Sequence, residues 1–420
     1  MQAIFLAIYL LVGEFKADER LAFIPFDLTV ATAGALTLFA LWRVLRMDVR
    51  YQKQLVWLII GVSLFAIPLL WTVWTDYAIE KSSRMFTLSL LAFAAPLLLI
   101  TERDDLRLFR RALTVIALMI AADAMYTLWT EMGTFKEEAR LTATGSGTIA
   151  LGRASGIALI GFLVARGKRR WLRLLMKATA LLVLVPVIFS SGSRGPLIAI
   201  GVTLVLFFLM FNARTLKQWL VMILTVGLFG LALLIGTEIA PEGSRSRMEE
   251  SIRNDPFEDT RENASASTRI RALKISVKKG AVTPLGIGWG GFAGMAQEMG
   301  ITYPHNLIVE IFLEGGWVPG ALVLLAFYVI FRRSAKHARA TRSVNDQWIF
   351  LLAVFMFVNA QVSGDFNDNR LLYALLALAS MVCMHDVSKL RKKPAAMPAT
   401  GAATPTIGNI HSVTKEAAKA

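Results

Sequence analysis

Twelve apolar runs divide most of the chain into membrane-sized segments. They lie at residues 2–13, 24–42, 54–74, 85–101, 112–130, 149–165, 172–190, 196–212, 218–238, 306–331, 347–363 and 370–387. About 20 apolar residues are enough to cross a bilayer as a helix, and a helix satisfies its own backbone in lipid. With 55% hydrophobic residues, the sequence predicts an all-α integral membrane protein with about twelve transmembrane helices.

The basic residues are distributed in short clusters between these runs. The formal net charge of +15 alone would be compatible with nucleic-acid binding, but clusters follow every even-numbered run. Examples are Arg103, Arg107, Arg110 and Arg111, then the RGKRR stretch at 166–170, then the KLRKK stretch at 389–393. The positive-inside rule explains this alternation and places both termini in the cytoplasm. We therefore expect membrane lipids, and no nucleic acid, as the surroundings of the chain.

This topology divides the chain into four regions. Residues 1–238 are predicted to hold transmembrane helices 1–9, and residues 239–305 to form one large outward loop with an amphipathic helix. Residues 306–387 are predicted to hold helices 10–12. Residues 388–420 are predicted to be a disordered cytoplasmic tail, because they are rich in Pro, Ala and Thr without an apolar period.

Four polar motifs fall on the outward side. They are ALGRASG with Arg153, SSGSRGP with Arg194, SASTRIRALKISVKKG with Arg269 and Arg271, and YPHN with His305 and Asn306. Taken singly, each has an ordinary structural interpretation: an arginine at headgroup level, a basic helix on anionic lipid, or a histidine at a helix mouth. Their location on one face favours a common site.

The third motif predicts a short amphipathic helix. Ser267 or Thr268 would cap it, and Ile270, Leu273 and Val277 would form its apolar face. Arg269 and Arg271 would then lie in the first turn.

These residue types suit a phosphoanhydride. Arginine stays charged and binds phosphate oxygens through a planar fork, so converging arginines favour a pyrophosphate. Pro304 is predicted to be the first helical residue, which places His305 in the first turn. The positive helix end would keep its imidazole neutral and able to accept a proton from an incoming hydroxyl. Leaving-group charge would be neutralised by arginine, without a metal or another cofactor.

Acidic residues on the same side have less specific patterns. Glu310 and Glu314 share one helix face, and we expect them to pair with an outward arginine. The SGDFNDNR stretch contains Asp365 and Asp368, which are predicted to cap the last helix; a hard cation is the alternative.

Taken in order, SGSRG, STRIRALKISVKKGAVTPLGIGWGGF and PHNLIVEIFLEGG resemble the O-antigen ligase and polymerase superfamily of bacterial envelope glycosyltransferases. The resemblance implies a GT-C-like membrane fold, with Arg194 and Arg269 as pyrophosphate contacts and His305 as catalytic base. It implies Arg153 as a further contact, with Asn306 and Glu310 in support. Family members often have an aromatic residue at the position of Leu273, so Arg271 stays open as the alternative to Arg269.

Within this superfamily the single large loop favours a ligase. The implied donor is an O-antigen glycan on undecaprenyl pyrophosphate, and the implied acceptor is a sugar hydroxyl of lipid A–core oligosaccharide. Transfer would occur at the periplasmic face of the bacterial inner membrane and would invert the anomeric carbon. The alternatives are an O-antigen polymerase, a protein O-oligosaccharyltransferase and, from another class, a lipid-linked sugar transporter.

Overall fold

The computed structural model describes residues 1–16, 18–45, 59, 61–130, 140–144, 147–166, 169–212, 215–246 and 264–390. Within these residues the chain forms helices, turns and irregular connections. Contacts divide it into two units, Met1–Cys383 and Met384–Ala420, and only residues 384–390 of the second are described.

Among the described residues up to position 239, nine apolar helices follow one another. They are α1 Gln2–Leu11, α2 Leu28–Leu45, α3 Gly61–Trp71, α4 Asp76–Leu99, α5 Arg103–Thr130, α6 Thr148–Val164, α7 Arg170–Ser190, α8 Arg194–Phe207 and α9 Leu216–Ile239. Each corresponds to a predicted apolar run, so their helicity is confirmed.

Among the described residues from position 264 onward, six further α-helices follow. They are α10 Ala264–Val282, α11 Gly291–Met295, α12 Leu307–Glu310, α13 Trp317–Thr341, α14 Val344–Ala360 and α15 Arg370–Leu390. The end of α15 includes residues 388–390, which were predicted to belong to the tail, and the rest of that predicted tail lies outside the described residues.

Two helices form the centre of the bundle. In α14, 14 of 17 residues are buried, and α6 is also buried on most sides. A helix that is apolar and buried all round belongs inside a bundle. Helix α14 packs against α6, α8 and α13, while α7 packs against α9 nearer the outside. The end of α14 is therefore held rigidly.

Among the residues that the structure describes, seven helices are long and apolar enough to cross a membrane. Their spans are Leu28–Leu45, Asp76–Leu99, Arg103–Thr130, Trp171–Ser190, Arg194–Phe211, Gln218–Ile239 and Trp317–Thr341. This is the composition of an integral membrane protein. The count of twelve spans and the outward position of the large loop stay predictions.

The predicted tenth segment, 306–331, is not one helix. Helix α12 continues as a π turn, Ile311–Gly315, and the chain then turns at Gly316, where φ is 96° and ψ is 176°. Helix α13 begins at Trp317. The break places Glu310 and Glu314 before the candidate span instead of within it.

Residues 286–290, which we name the glycine loop, hold this break in place. The amide of Ile287 donates to the Leu313 carbonyl at 2.9 Å, and the amide of Gly288 donates to the Glu314 carbonyl at 3.1 Å. Gly286 has φ of +79°, and a Cβ there would lie 2.4 Å from the Glu314 carbonyl oxygen. Glycine is thus required at this position both by its backbone conformation and by the close approach.

Candidate active site

Three consecutive backbone carbonyls after helix α14 form the centre of the candidate site. The carbonyl of Gln361 accepts from Asn306 Nδ2 at 3.1 Å. The carbonyl of Val362 accepts from Arg269 Nη1 at 3.2 Å, and that of Ser363 accepts from Arg153 Nη2 at 3.1 Å. We name residues 361–363 the carbonyl turn. Three sequence motifs that lie far apart in the chain meet there.

Arg153 reaches the carbonyl turn from the buried helix α6. Its Nη2 also contacts Ser363 Oγ at 3.3 Å, and its Nη1 donates to the Asp368 carbonyl at 3.2 Å. Its Nε is buried and has no hydrogen-bond partner among the described residues. The guanidinium is therefore fixed mainly by backbone oxygens, and its positive charge lies beside the carbonyl turn.

Arg194 lies at the start of α8, next to the same turn. Ser193 is the N-cap, and the preceding Gly192 has φ of +66°. A Cβ added to the following Gly195 would lie 2.8 Å from Val362 Cγ2, so the backbone of the SGSRG motif packs directly on the carbonyl turn. Arg194 is half-buried and makes further interactions of its own.

Helix α10 places Arg269 and Arg271 differently. Arg269 is half-buried and contacts the carbonyl turn, whereas Arg271 is exposed and has an interaction of its own. The predicted cap at Ser267 or Thr268 is wrong, because the helix already includes Ala264.

The predicted apolar face of α10 is also wrong. Val277 is 54% exposed, while Ala272 and Ser276 are fully buried and Gly280 lies against Leu313. Small residues at these positions let two backbones approach closely, which large aliphatic side chains would prevent. The helix is therefore oriented by its small residues, with Arg269 turned inward.

His305 precedes helix α12 instead of lying in its first turn. Asn306 is the N-cap, and its Oδ1 accepts from the Val309 amide at 3.0 Å. His305 has φ of +59°, a conformation that few non-glycine residues adopt. Its ring meets Tyr303 edge to face, with 4.4 Å between centroids. The prediction that Pro304 starts the helix is wrong, because asparagine is among the strongest N-cap residues.

The imidazole of His305 is nevertheless kept neutral. Burial, followed by the charge of Arg269, lowers the pKa of His305 from 6.5 to about 4, against the opposing charge of Asp368. Its Nδ1 is buried and has no hydrogen-bond partner in the described part of the chain. A neutral, incompletely hydrogen-bonded imidazole beside an arginine is a competent proton acceptor.

The acidic stretch after the carbonyl turn forms a cap. Asp365 Oδ1 accepts from the Asp368 amide at 3.0 Å, and Asp368 Oδ2 accepts from the Asp365 amide at 3.1 Å. This confirms the capping interpretation for Phe366–Asn369, the 3₁₀ turn that leads into α15. Burial, then the neighbouring Asp368 carboxylate, raises the pKa of Asp365 to about 6. Among the described residues, no three His, Cys, Asp or Glu side chains are grouped as metal ligands.

Glu310 and Glu314 pair with a lysine, not with an arginine as predicted. Lys81 Nζ lies 2.6 Å from Glu310 Oε1 and 2.5 Å from Glu314 Oε2. The sequence does contain a signal for this pair, since Lys81 is a basic residue on the side that the positive-inside rule leaves poor in cations.

Residues 179–325 match a family model, Wzy_C, which is described as O-antigen ligase. The match covers about a third of the chain and supports the resemblance to the O-antigen ligase and polymerase superfamily. No curated protein and no solved structure matches the chain.

The O-antigen ligase match covers only part of the candidate site. It contains Arg194, Arg269 and His305. Arg153, Lys81 and the carbonyl turn lie outside the matched residues, and the fold brings them to the same place.

Proposed function

We propose that the chain is an O-antigen ligase that transfers a glycan from undecaprenyl pyrophosphate to a sugar hydroxyl of lipid A–core oligosaccharide. The observation that carries this proposal is the neutral imidazole of His305 near the charge of Arg269, with Arg269 and the adjacent Asn306 both bonded to the carbonyl turn. The family match supports a lipid-linked glycan donor in general terms, and the candidate spans support a membrane protein, for which we propose the bacterial inner membrane.

The proposed reaction is one displacement at the anomeric carbon. The acceptor hydroxyl gives its proton to the His305 imidazole while its oxygen bonds to the anomeric carbon. The bond between that carbon and the pyrophosphate oxygen breaks, and undecaprenyl pyrophosphate leaves with the electron pair. Attack opposite the leaving group inverts the configuration.

The arginines supply the charge that the leaving group needs. Arg194 and Arg269 are proposed to contact the pyrophosphate oxygens, with Arg271 at the exposed edge of the same helix. Fixed guanidinium groups stabilise developing negative charge without reorganising during the reaction. Arg153 is proposed to add its charge from behind the carbonyl turn, since both of its terminal nitrogens already donate to the protein.

Reconstitution tests this proposal. Purified protein in vesicles would receive undecaprenyl-pyrophosphate glycan and rough lipopolysaccharide, and product would be followed as new high-mass bands. We expect transfer by the natural chain and by a His337→Ala control, and at least a thousandfold loss in His305→Ala with donor binding retained. The control histidine lies beside Asp346, apart from the carbonyl turn.

The same experiment separates the alternatives. Product formed from two lipid-linked glycans without lipopolysaccharide would identify a polymerase, and product on a serine- or threonine-bearing protein would identify a protein transferase. Movement of donor lipid between leaflets without any new glycosidic bond would indicate a transporter.

A further inference from the structure

A lysine lies fully buried between two carboxylates beside the candidate site. Lys81, Glu310 and Glu314 each have 0% of their side chain exposed. Lys81 comes from the first turns of α4, whereas both glutamates follow His305 closely in sequence, on α12 and its π turn. Charged side chains are almost never fully buried unless they are paired, so this cluster has a specific role.

Each carboxylate also binds a second segment of the chain. Glu314 Oε2 accepts from the Gly290 amide at 2.9 Å, and its Oε1 accepts from the Phe292 amide at 3.3 Å. Glu310 Oε1 accepts from the Phe366 amide at 3.2 Å. The cluster therefore joins α12 to the glycine loop and to the residues that follow the carbonyl turn.

The backbone around Lys81 makes a further connection. Its carbonyl accepts from Asn367 Nδ2 at 3.0 Å, and Ser89 Oγ on the same helix donates to Asn367 Oδ1 at 2.8 Å. Helix α4 is thus bonded to both sides of the site: to α12 through the Lys81 side chain, and to Asn367 through its backbone and Ser89.

Charge balance distinguishes the two glutamates. One ammonium cannot neutralise two buried carboxylates, and an uncompensated buried charge is costly. Glu314 receives hydrogen bonds from the lysine and two backbone amides, which suit an ionised carboxylate. Glu310 Oε2 has no hydrogen-bond partner among the described side chains and backbone, so Glu310 is the one that holds a proton.

We infer that Lys81 is a positioning residue for His305, because through Glu310 and Glu314 it fixes α12 against Phe366, which follows the carbonyl turn, and against the glycine loop. The expected effect on kcat rests on the proposed function. The expected effect on the position of His305 does not. The family match does not include Lys81, because it covers only residues 179–325.

The test compares Lys81→Met with Arg84→Met in the full-length protein. Arg84 lies on the same helix but pairs with Glu80 at the exposed surface. Three quantities would be measured. The first two are kcat and the Kd of the donor lipid. The third, which we name the modification ratio, is the rate at which diethyl pyrocarbonate modifies His305 divided by the rate at which it modifies His337. For Lys81→Met we expect kcat to fall at least tenfold, Kd to change less than threefold, and the modification ratio to change at least threefold. Arg84→Met should change none of them.

A double variant separates positioning from charge balance. Lys81→Met/Glu314→Gln removes one positive and one negative charge, so we expect its thermal midpoint to return close to that of the natural protein. Its kcat and modification ratio should stay altered, because no cation then connects α4 to α12. Recovery of both to natural values would overturn the inference, as would unchanged values in Lys81→Met. If the single variant does not fold, the double variant carries the comparison.

The two glutamates give an independent check. Glu310→Gln mimics the protonated side chain, so it should retain more than a third of the natural kcat, whereas Glu314→Gln should lose at least tenfold. The opposite order would overturn the charge assignment. If the natural protein transfers no glycan, the proposed function fails, and the modification ratio alone decides the positioning role.

Discussion

Lowering the pH from 8 to 4 titrates the imidazole on which the proposed reaction depends. The pKa of His305 is lowered from 6.5 to about 4 by burial and then by Arg269. At pH 5 a base with a pKa of about 4 is roughly 90% neutral, whereas an ordinary histidine is roughly 3% neutral. The structure therefore predicts that transfer at pH 5 keeps roughly 90% of its plateau rate, whereas an unperturbed histidine would leave roughly 3% of its own plateau rate.

The assay is initial-rate glycan transfer at constant ionic strength with saturating donor and acceptor. We expect a rate that is nearly constant from pH 8 to about 5 and half-maximal near pH 4. Modification of His305 by diethyl pyrocarbonate, measured over the same range, reports the same titration without turnover, because the reagent reacts with neutral imidazole.

Arg269→Gln tests whether the charge of Arg269 lowers the pKa of His305. It removes a positive charge that disfavours the imidazolium, so the half-maximal pH should rise in the modification experiment. Lys278→Gln, an exposed substitution on the same helix, should leave it unchanged. A natural protein with half-maximal modification near pH 6.5 would refute the reasoning, as would an Arg269→Gln variant whose midpoint falls.

The difference between the pKa of His305 in the folded and in the unfolded state determines how this histidine changes the stability with pH. The unfolded state binds a proton to this histidine below about pH 6.5, while the folded state does so only below about 4. The contribution of His305 to the free energy of unfolding should therefore decrease as the pH falls from 6.5 to 4, by at most about 3 kcal/mol. Because Asp365, whose pKa is raised to about 6, contributes with the opposite sign in this range, the contribution of His305 is measured as the difference between the natural protein and His305→Ala.

Three further predictions concern the elements around His305. Gly286→Ala should lower the free energy of unfolding by at least about 2 kcal/mol, because its Cβ would meet a carbonyl oxygen of a neighbouring segment at 2.4 Å. Gly300 has a similar φ but open space around it, so Gly300→Ala should cost less. Thermal unfolding measures both variants. Asn306→Ala should cost about 1 kcal/mol through loss of its cap and should reduce kcat. Asn306→Asp preserves the cap but loses the donor to the Gln361 carbonyl, so it should still reduce kcat. Arg269→Gln should raise the donor Kd roughly tenfold or more, while Arg271→Gln should change it less than threefold in a lipid-binding assay; equal effects would show that both arginines contact the donor.

The sequence identified the helices because each apolar run is long and bounded by polar residues. It did not locate the break at Gly316, since a Gly-Gly pair in an apolar stretch is also compatible with a continuous membrane helix. The break depends on backbone bonds between Ile287 and Leu313, and between Gly288 and Glu314. Such contacts between distant segments have no local signature.

The same limitation explains what was missed in the site. Arg153, Arg269, Asn306 and His305 were found because their side-chain chemistry is conspicuous. The carbonyl turn was not found, because backbone oxygens are present at every residue. Lys81 was missed as a partner because it lies 233 positions before Glu314, and sequence spacing alone could not bring the two together.

The carbonyl turn also offers a place for a spectroscopic label. Asn306 binds the main-chain oxygen of Gln361, whereas the side chain of Gln361 donates back to the Phe357 carbonyl within its own helix. The amino acid at position 361 can therefore be replaced by a fluorescent or fluorinated one while the oxygen that receives Asn306 is retained. Such a reporter would lie one residue from the contact of Arg269 and would register donor arrival directly.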